Sequence, residues 1–215
     1  MAGGTTCAVT APTPSVALME TFERTIYNAE HEQFRAAFRQ WLDKEIVPHH
    51  EKWEADGIVP REIWLAAGKL GFLGYHVPEQ YGGGGVTDFK FGAIMQEEVS
   101  ETGVIGSANG MTLHNDIVLP YFLGLANEEQ RARFLPGMVT GEVIGALGIT
   151  EPNTGSDVAG IRTTGLKKGG AFIVNGGLSR AFRNTPLNEI HYNVIVSGEN
   201  MCTTILYHTI EQEDT

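Results

Sequence analysis

The sequence predicts an α+β fold, with an all-α N-terminal helical domain followed by a partial β-domain. From about residue 25, apolar residues recur at spacings of three and four, which is the period of an amphipathic helix. Near residue 142 this period is lost, and short runs rich in Val, Ile and Phe follow, which indicates strands. Because the helices precede the strands and do not alternate with them, we expect two segregated parts that divide at about residue 140.

The first two helices have clear apolar stripes and end signals. The first stripe consists of Phe34, Phe38, Trp41, Leu42 and Ile46. We expect its three aromatic residues to lie in the core. Pro48 lies where this helix would stop or kink. Pro60 suits the first turn of a second helix, and Gly71 suits its left-handed end.

Further helices follow a glycine-rich turn, which is the YGGGG run at 81–85. Asp88 is a candidate N-cap for a helix that Gly103 would end. A helix bent by Pro120 is expected over 114–125, and the spacing of Asn127 and Gln130 predicts a capping box that begins a short helix. Strands are expected at 143–149, 171–174, 194–196 and 203–207.

Charge and composition limit the classes of partner. The 215-residue chain has a formal net charge of −11, which argues against binding to nucleic-acid phosphates. No apolar run reaches the 18 residues that a membrane-spanning helix needs. Only Cys7 and Cys202 could form a disulfide, which favours a reducing compartment. Residues 1–24 are expected to be a disordered leader, and the absence of Lys and Arg from its first 19 residues favours a cytoplasmic location over the mitochondrial matrix.

The stretch ALGITEPNTGSD, residues 146–157, carries the most chemistry. It predicts a strand that ends near Thr150, a Pro-containing turn, and then Gly155 and Ser156. Gly155 can let backbone approach a ligand closely, and the Ser156 hydroxyl with neighbouring N–H groups could bind a diphosphate. An ordinary polar turn, in which Thr and Ser bind their own backbone, accounts for the same residues.

TEPNTGSDVAGIRTT, residues 150–164, resembles the signature of acyl-CoA dehydrogenases, which is followed, as here, by a strand ending in FIVNG at 172–176. The resemblance covers about residues 25–176, and IVPHHEKWE is most similar to the long-chain branch. It implies a helical domain, residues 25–140, leading into residues 141–215 of a flavin-binding β-domain.

The same resemblance implies the cofactor FAD and the residues that would bind it. Leu147, Ile149 and Thr150 would contact the flavin ring system. Gly155 and Ser156 would bind the pyrophosphate region, and Ser156 would also border the acyl-CoA channel. The implied reaction is α,β-desaturation of an acyl-CoA thioester, with electrons passed to an electron-transferring flavoprotein, in a homo-oligomeric enzyme.

Two departures from the family pattern limit this reading. After Gly176 the sequence diverges, so no flavin contact is carried over beyond that point. The family's catalytic Glu belongs to a C-terminal helical bundle that we expect to be absent, so no catalytic residue is assigned and the chain is expected to be inactive as it stands. An acyl-CoA oxidase or flavin monooxygenase of the same fold, or a non-catalytic fragment acting as an interaction module, remain alternatives.

Other candidate sites have simpler explanations. His49 and His50 diverge on a helix and lack a third metal ligand, so they are expected at the surface. Ser107, His114 and Asp116 lack the elbow motif of a hydrolase triad. The run Glu97, Glu98 and Glu101 is expected to form a solvated face.

Overall fold

The computed structural model describes residues 25–148, 151–152, 154–168, 171–175, 195–197 and 201–209. The helices in this part of the chain are α1 (Ala29–Trp41), α2 (His50–Asp56), α3 (Arg61–Lys69), α4 (Lys90–Thr102), α5 (Ile105–Leu113), α6 (Leu119–Leu125) and α7 (Glu128–Thr140). The strands are β1 (Val143–Gly148), β2 (Thr164–Lys168), β3 (Ala171–Asn175), β4 (Ile195–Ser197) and β5 (Met201–Thr209). Helices followed by strands confirm the predicted fold class. The expected leader, residues 1–24, lies outside the described residues.

Two π-helical segments extend the α-helices. Leu42–Ile46 continues α1 and leads into a 3-10 turn, Val47–His49, that contains Pro48. His114–Val118 joins α5 to α6, which begins with Pro120 in its first turn. The predicted bend at Pro120 is therefore a junction between two kinds of helix. A π-helical turn changes which side chains face the core. In the segment His114–Val118, both His114 and Asn115 are fully buried.

Most predicted helix ends are confirmed. Gly71 and Gly103 have positive φ values of 77° and 75°, as the left-handed end of a helix requires. Asn127 and Gln130 form the predicted capping box, with hydrogen bonds of 2.9 and 3.0 Å. The helix that follows them, α7, is longer than expected because it continues through Pro136 to Thr140. At α4 the first residue is Lys90, and Asp88 accepts a hydrogen bond from its backbone N–H at 3.0 Å.

The core of the helical part is divided into two apolar clusters. The first contains the aromatic stripe of α1, where the Phe38 ring packs edge-on against Phe72 with centroids 5.0 Å apart. The second is formed around α6 and α7 by Phe122, Phe134 and their neighbours. Strand β1 contacts both, because Val143 belongs to the second cluster and Ile144 packs against the first. The predicted aromatic core is confirmed.

Both sheets are antiparallel. Strand β5 lies between β1 and β4, with Val143 opposite Thr209 and Ile195 opposite Thr203. Strands β2 and β3 form a separate pair, with Thr164 opposite Asn175. The strands that the sequence predicted at 171–174, 194–196 and 203–207 are thus confirmed to within a few residues.

One prediction about charge was wrong. Glu98 is not solvated but only 3% exposed, and it joins α4 to α1. Its carboxylate accepts hydrogen bonds from Arg35 at 2.7 Å and from Arg39 at 3.0 Å. Burial acts to lower the pKa of Arg35, but hydrogen bonds to Glu98 and Glu97 raise it above its usual range. Glu101, by contrast, is exposed as expected.

Candidate functional site

Strand β1 is fixed to the helices immediately before the signature. Helix α7 ends at Thr140, and Gly141 turns the chain into the strand with a φ of 80°. Gly145 then lies so close to the helices that a Cβ atom there would overlap Val118 and lie 3.0 Å from Cε of Met138. Only glycine fits this approach of strand to helix.

His114 supplies the polar part of this contact. It is completely buried, and its Nδ1 accepts a hydrogen bond from the backbone N–H of Gly145 at 3.0 Å. Its Nε2 lies 3.0 Å from the carbonyl oxygen of Met138. Because Nδ1 must be an acceptor, the proton resides on Nε2, which donates to that carbonyl. Burial lowers the pKa of His114 to about 4, so the ring is neutral at pH 7.

The signature itself forms a tight turn that is held together by Glu151. Glu151 and Thr154 form a two-way backbone bridge, with N···O distances of 3.0 and 3.1 Å. The Glu151 carboxylate, 7% exposed, accepts the backbone N–H groups of Arg162 at 2.9 Å and Thr163 at 2.7 Å. Hydrogen bonding to Thr163 and Arg162 holds the pKa of Glu151 below its ordinary value. Because it is ionised and bonded at both oxygens, this carboxylate ties the two ends of residues 151–163 together.

Thr154 closes the same turn from inside. It is buried, and its hydroxyl donates to the carbonyl of Gly160 at 3.0 Å. The short 3-10 helix Val158–Gly160 follows the GSD sequence, and the N–H of Gly160 donates to the carbonyl of Asp157 at 3.0 Å. The side chains of Glu151 and Thr154 therefore bind the backbone of the turn, whereas Gly155 and Ser156 are exposed.

Gly155 and Ser156 are both exposed. In the part of the chain that the structure describes, neither makes a hydrogen bond, and a Cβ placed on Gly155 would meet no atom within 4 Å. Open space at Gly155 and the exposed Ser156 hydroxyl are compatible with the approach of a phosphate group. Thr154 binds the backbone of its own turn, as the polar-turn alternative requires, so both explanations fit the described residues.

The other predicted contacts are only partly within the described residues. Leu147 lies in β1 and pairs with Ile205 of β5 through the backbone. Ile149 and Thr150 lie outside the described residues. All five flavin contacts, namely Leu147, Ile149, Thr150, Gly155 and Ser156, therefore remain predictions. Sequence reasoning missed Glu151, although an acidic residue inside a glycine-containing turn is itself a sign of backbone binding, and it missed the pairing of His114 with β1.

Ser107, His114 and Asp116, which lack the elbow motif of a hydrolase triad, each have other partners. Ser107 is hydrogen-bonded to Nδ1 of His50 at 2.8 Å, Asp116 accepts the hydroxyl of Tyr75 at 3.1 Å, and His114 binds backbone. Of the two histidines expected at the surface, His49 is exposed, whereas His50, the first residue of α2, is half-buried against α5. Across the described ranges, no group of three His, Cys, Asp or Glu residues is arranged to hold a metal ion.

A half-open cavity of about 440 Å³ lies in the helical part of the molecule. Tyr75, Phe89, Asp116 and Pro120 are among its lining residues, and neither Gly155 nor Ser156 lines it. No helix within the described ranges has the length and apolar character needed to cross a membrane.

Comparison with known proteins gives a consistent result. A sequence profile described as "Acyl-CoA dehydrogenase, N-terminal domain" matches residues 28–142. The chain is 43% identical over 153 residues to the mitochondrial long-chain specific acyl-CoA dehydrogenase of Sus scrofa, an alignment that covers 71% of this chain and 35% of the relative. The chain therefore spans about a third of the length of this curated relative.

Solved structures agree. An acyl-CoA dehydrogenase from Geobacillus kaustophilus superposes with a TM-score of 0.66 and 33% identity, over 87% of this chain and 57% of the other. An acyl-CoA dehydrogenase from Bacillus anthracis, described as complexed with FAD, gives 0.64 at 24% identity, over 90% and 38% of the two chains, which supports the fold alone. With the profile matching more than half of its residues, this chain belongs to the acyl-CoA dehydrogenase family and contains that family's N-terminal domain.

Proposed function

We propose that this chain contributes to FAD-dependent α,β-desaturation of an acyl-CoA thioester, as part of fatty-acid or related acyl-CoA breakdown. The observation that carries the proposal is the turn at residues 151–163, in which Glu151 and Thr154 bind the backbone and Gly155 and Ser156 remain open. The proposal is supported by the exposure of Gly155 and Ser156, because backbone N–H groups and a serine hydroxyl are the donors that a diphosphate requires.

The proposed roles follow the order of the chain. Leu147, Ile149 and Thr150 would line the flavin ring system where β1 ends, and Gly155 with Ser156 would bind the pyrophosphate. FAD, when bound, supplies the acceptor for the hydrogen that leaves the β-carbon of the substrate. The protein's share is to orient these groups and to exclude water. The carboxylate that takes the α-proton is a Glu which the family resemblance assigns to none of the described residues.

The partners in this proposal are an acyl-CoA substrate, whose channel Ser156 would border, and an electron-transferring flavoprotein as the electron acceptor. A homo-oligomer is expected, as in relatives of full length. The relative from Sus scrofa is mitochondrial by name, whereas the composition of the first residues favours the cytoplasm. Our proposal keeps the cytoplasmic assignment, and fractionation of cells that express the tagged chain would test it.

The experiment is a flavin titration of wild type and Ser156→Phe, with binding rather than turnover as the readout. Each charge-assisted hydrogen bond to phosphate is worth roughly 1.5–3 kcal/mol, so loss of the Ser156 contact should raise the Kd for FAD about tenfold to hundredfold. Ser100→Phe is the matched control, because Ser100 is an exposed serine on α4 whose hydroxyl donates to the carbonyl of Gln96 in its own helix.

Flavin fluorescence and equilibrium dialysis would both measure the Kd. An unchanged Kd in Ser156→Phe, or an equal rise in Ser100→Phe, would remove this turn from the flavin site. Failure of the wild-type chain to bind FAD at all would remove the proposed function from these residues. Wild-type binding that only Ser156→Phe weakens would support it.

A further inference from the structure

The contact between His114 and β1 does more than fill the core. The ring lies at the boundary between the helical part and the strand that leads into the signature, and it binds on both sides of the turn at Gly141. One nitrogen receives the N–H of Gly145 in β1, and the other donates to the carbonyl of Met138 in α7. His114 therefore holds β1 at a fixed distance from α7 at this point.

The packing around Gly145 restricts where β1 can lie relative to the helices. Gly145 is buried against Val118 and Met138, with no room for a Cβ atom. Water has no access to an N–H group placed there, and a buried N–H without an acceptor is costly. The strand can therefore take this position only with an acceptor where Nδ1 of His114 lies. Two residues further along the strand is Leu147, the first of the predicted flavin contacts.

We infer that His114 is a positioning residue, which fixes β1 and through it the flavin-facing residues that follow the strand. The part of this inference that concerns flavin rests on the proposed function. His114 does not touch the cofactor in this proposal, and it acts only through the N–H of Gly145. Its effect on β1 depends on the hydrogen bond that Nδ1 accepts from Gly145. Mutation can separate this bond from the one that Nε2 donates to Met138.

Two substitutions of His114 each remove one of its two hydrogen bonds and retain the other. In Asn the carbonyl oxygen is two bonds from Cβ, as Nδ1 is in His, so His114→Asn retains an acceptor for Gly145 and loses the donor to Met138. In Gln the amide nitrogen is three bonds from Cβ, as Nε2 is, so His114→Gln retains the donor to Met138 and loses the acceptor for Gly145. Each variant loses one hydrogen bond, so both should lose similar amounts of stability. Only His114→Gln should release the strand.

The first test is amide hydrogen exchange by NMR on the chain without flavin. His114→Gln should exchange the amides of 144–148 about tenfold faster than His114→Asn, at matched global stability. Phe122→Leu is the control for lost stability, since Phe122 is a buried residue of the second cluster and a phenyl ring carries no N–H or O–H group. It should destabilise the protein without a selective change in β1. Equal exchange in the two His114 variants would overturn the inference.

The second test is the Kd for FAD. His114→Gln should raise it about tenfold and His114→Asn less than about threefold. If wild type binds FAD and the two variants bind it equally well, the positioning role is wrong while the proposed function stands. If wild type does not bind FAD, the proposed function fails, and the exchange experiment alone decides whether His114 positions the strand.

A measurement on wild type covers the case in which the variants do not fold. Nitrogen-15 chemical shifts of the His114 ring should identify Nε2 as the protonated nitrogen and Nδ1 as the acceptor at pH 7. The opposite tautomer, or a ring that exchanges between the two, would overturn the inference without any substitution.

Discussion

Replacing Glu98 with Gln should destabilise the helical part of the protein by about 3 kcal/mol, because the change removes a buried charge that joins α1 to α4. The side chain is 4% exposed and accepts hydrogen bonds from Arg35 at 2.7 Å and Arg39 at 3.0 Å. Charged hydrogen bonds contribute roughly 1.5–3 kcal/mol each, and breaking a buried ion pair typically costs about 3–5 kcal/mol. Both arginines retain other carboxylates, so the lower end of this range applies.

Glu101→Gln is the matched control. Glu101 lies one turn further along α4, its side chain is 68% exposed, and its oxygen lies 3.7 Å from Arg39. Exposed pairs of this kind contribute less than about 1 kcal/mol, and salt screens them. Urea unfolding at pH 7, followed by circular dichroism, measures both variants. A difference below about 0.5 kcal/mol between Glu98→Gln and Glu101→Gln would refute the reasoning, since burial would then not matter.

Two further predictions concern packing and pH. Gly68→Ala should destabilise the protein by about 1–3 kcal/mol in urea unfolding, because the new methyl group overlaps the backbone carbonyl of Thr140, whereas Gly124→Ala meets no atom within 4 Å and should be neutral or stabilising by up to about 1 kcal/mol. Burial lowers the pKa of His114 from an ordinary 6.5 to about 4. The free energy of unfolding should therefore fall as the pH falls from 6.5 to 4, because the unfolded state takes up the proton first. Comparison of wild type with His114→Asn at pH 7 and pH 4 should isolate about 3 kcal/mol, and an identical pH dependence in both would contradict it.

Apolar periodicity and end signals made most of the helical part predictable. The stripe from Phe34 to Trp41 and the capping box of Asn127 act locally, so their meaning is present in a few neighbouring residues. Helix α5, in contrast, was not predicted. Its sequence IGSANGMTL contains two glycines and has little intrinsic preference for a helix, and burial of Ala108 and Met111 among other helices overrides that preference.

Long-range polar contacts could not be predicted from spacing. Glu98 and Glu101 lie one turn apart on the same helix, and the approach of α1, 59 to 63 residues away along the chain, buries the first charge and not the second. His114 meets Gly145 over 31 residues for a similar reason. In the signature, the flavin contacts of Gly155 and Ser156 stay predictions, and the role of Glu151 depends on two N–H groups that lie 11 and 12 residues further on.

The division of Val143 and Ile144 between the two apolar clusters has a mechanical consequence. A force applied to the far end of β1 would load the cluster around α6 and α7 through one residue and the cluster around α1 through the next. To leave the helices, the strand must break its contacts with both clusters and the hydrogen bond to His114. In the wild type, residues 29–148 should therefore unfold in one cooperative step, whereas in His114→Gln the strand should open before the helices.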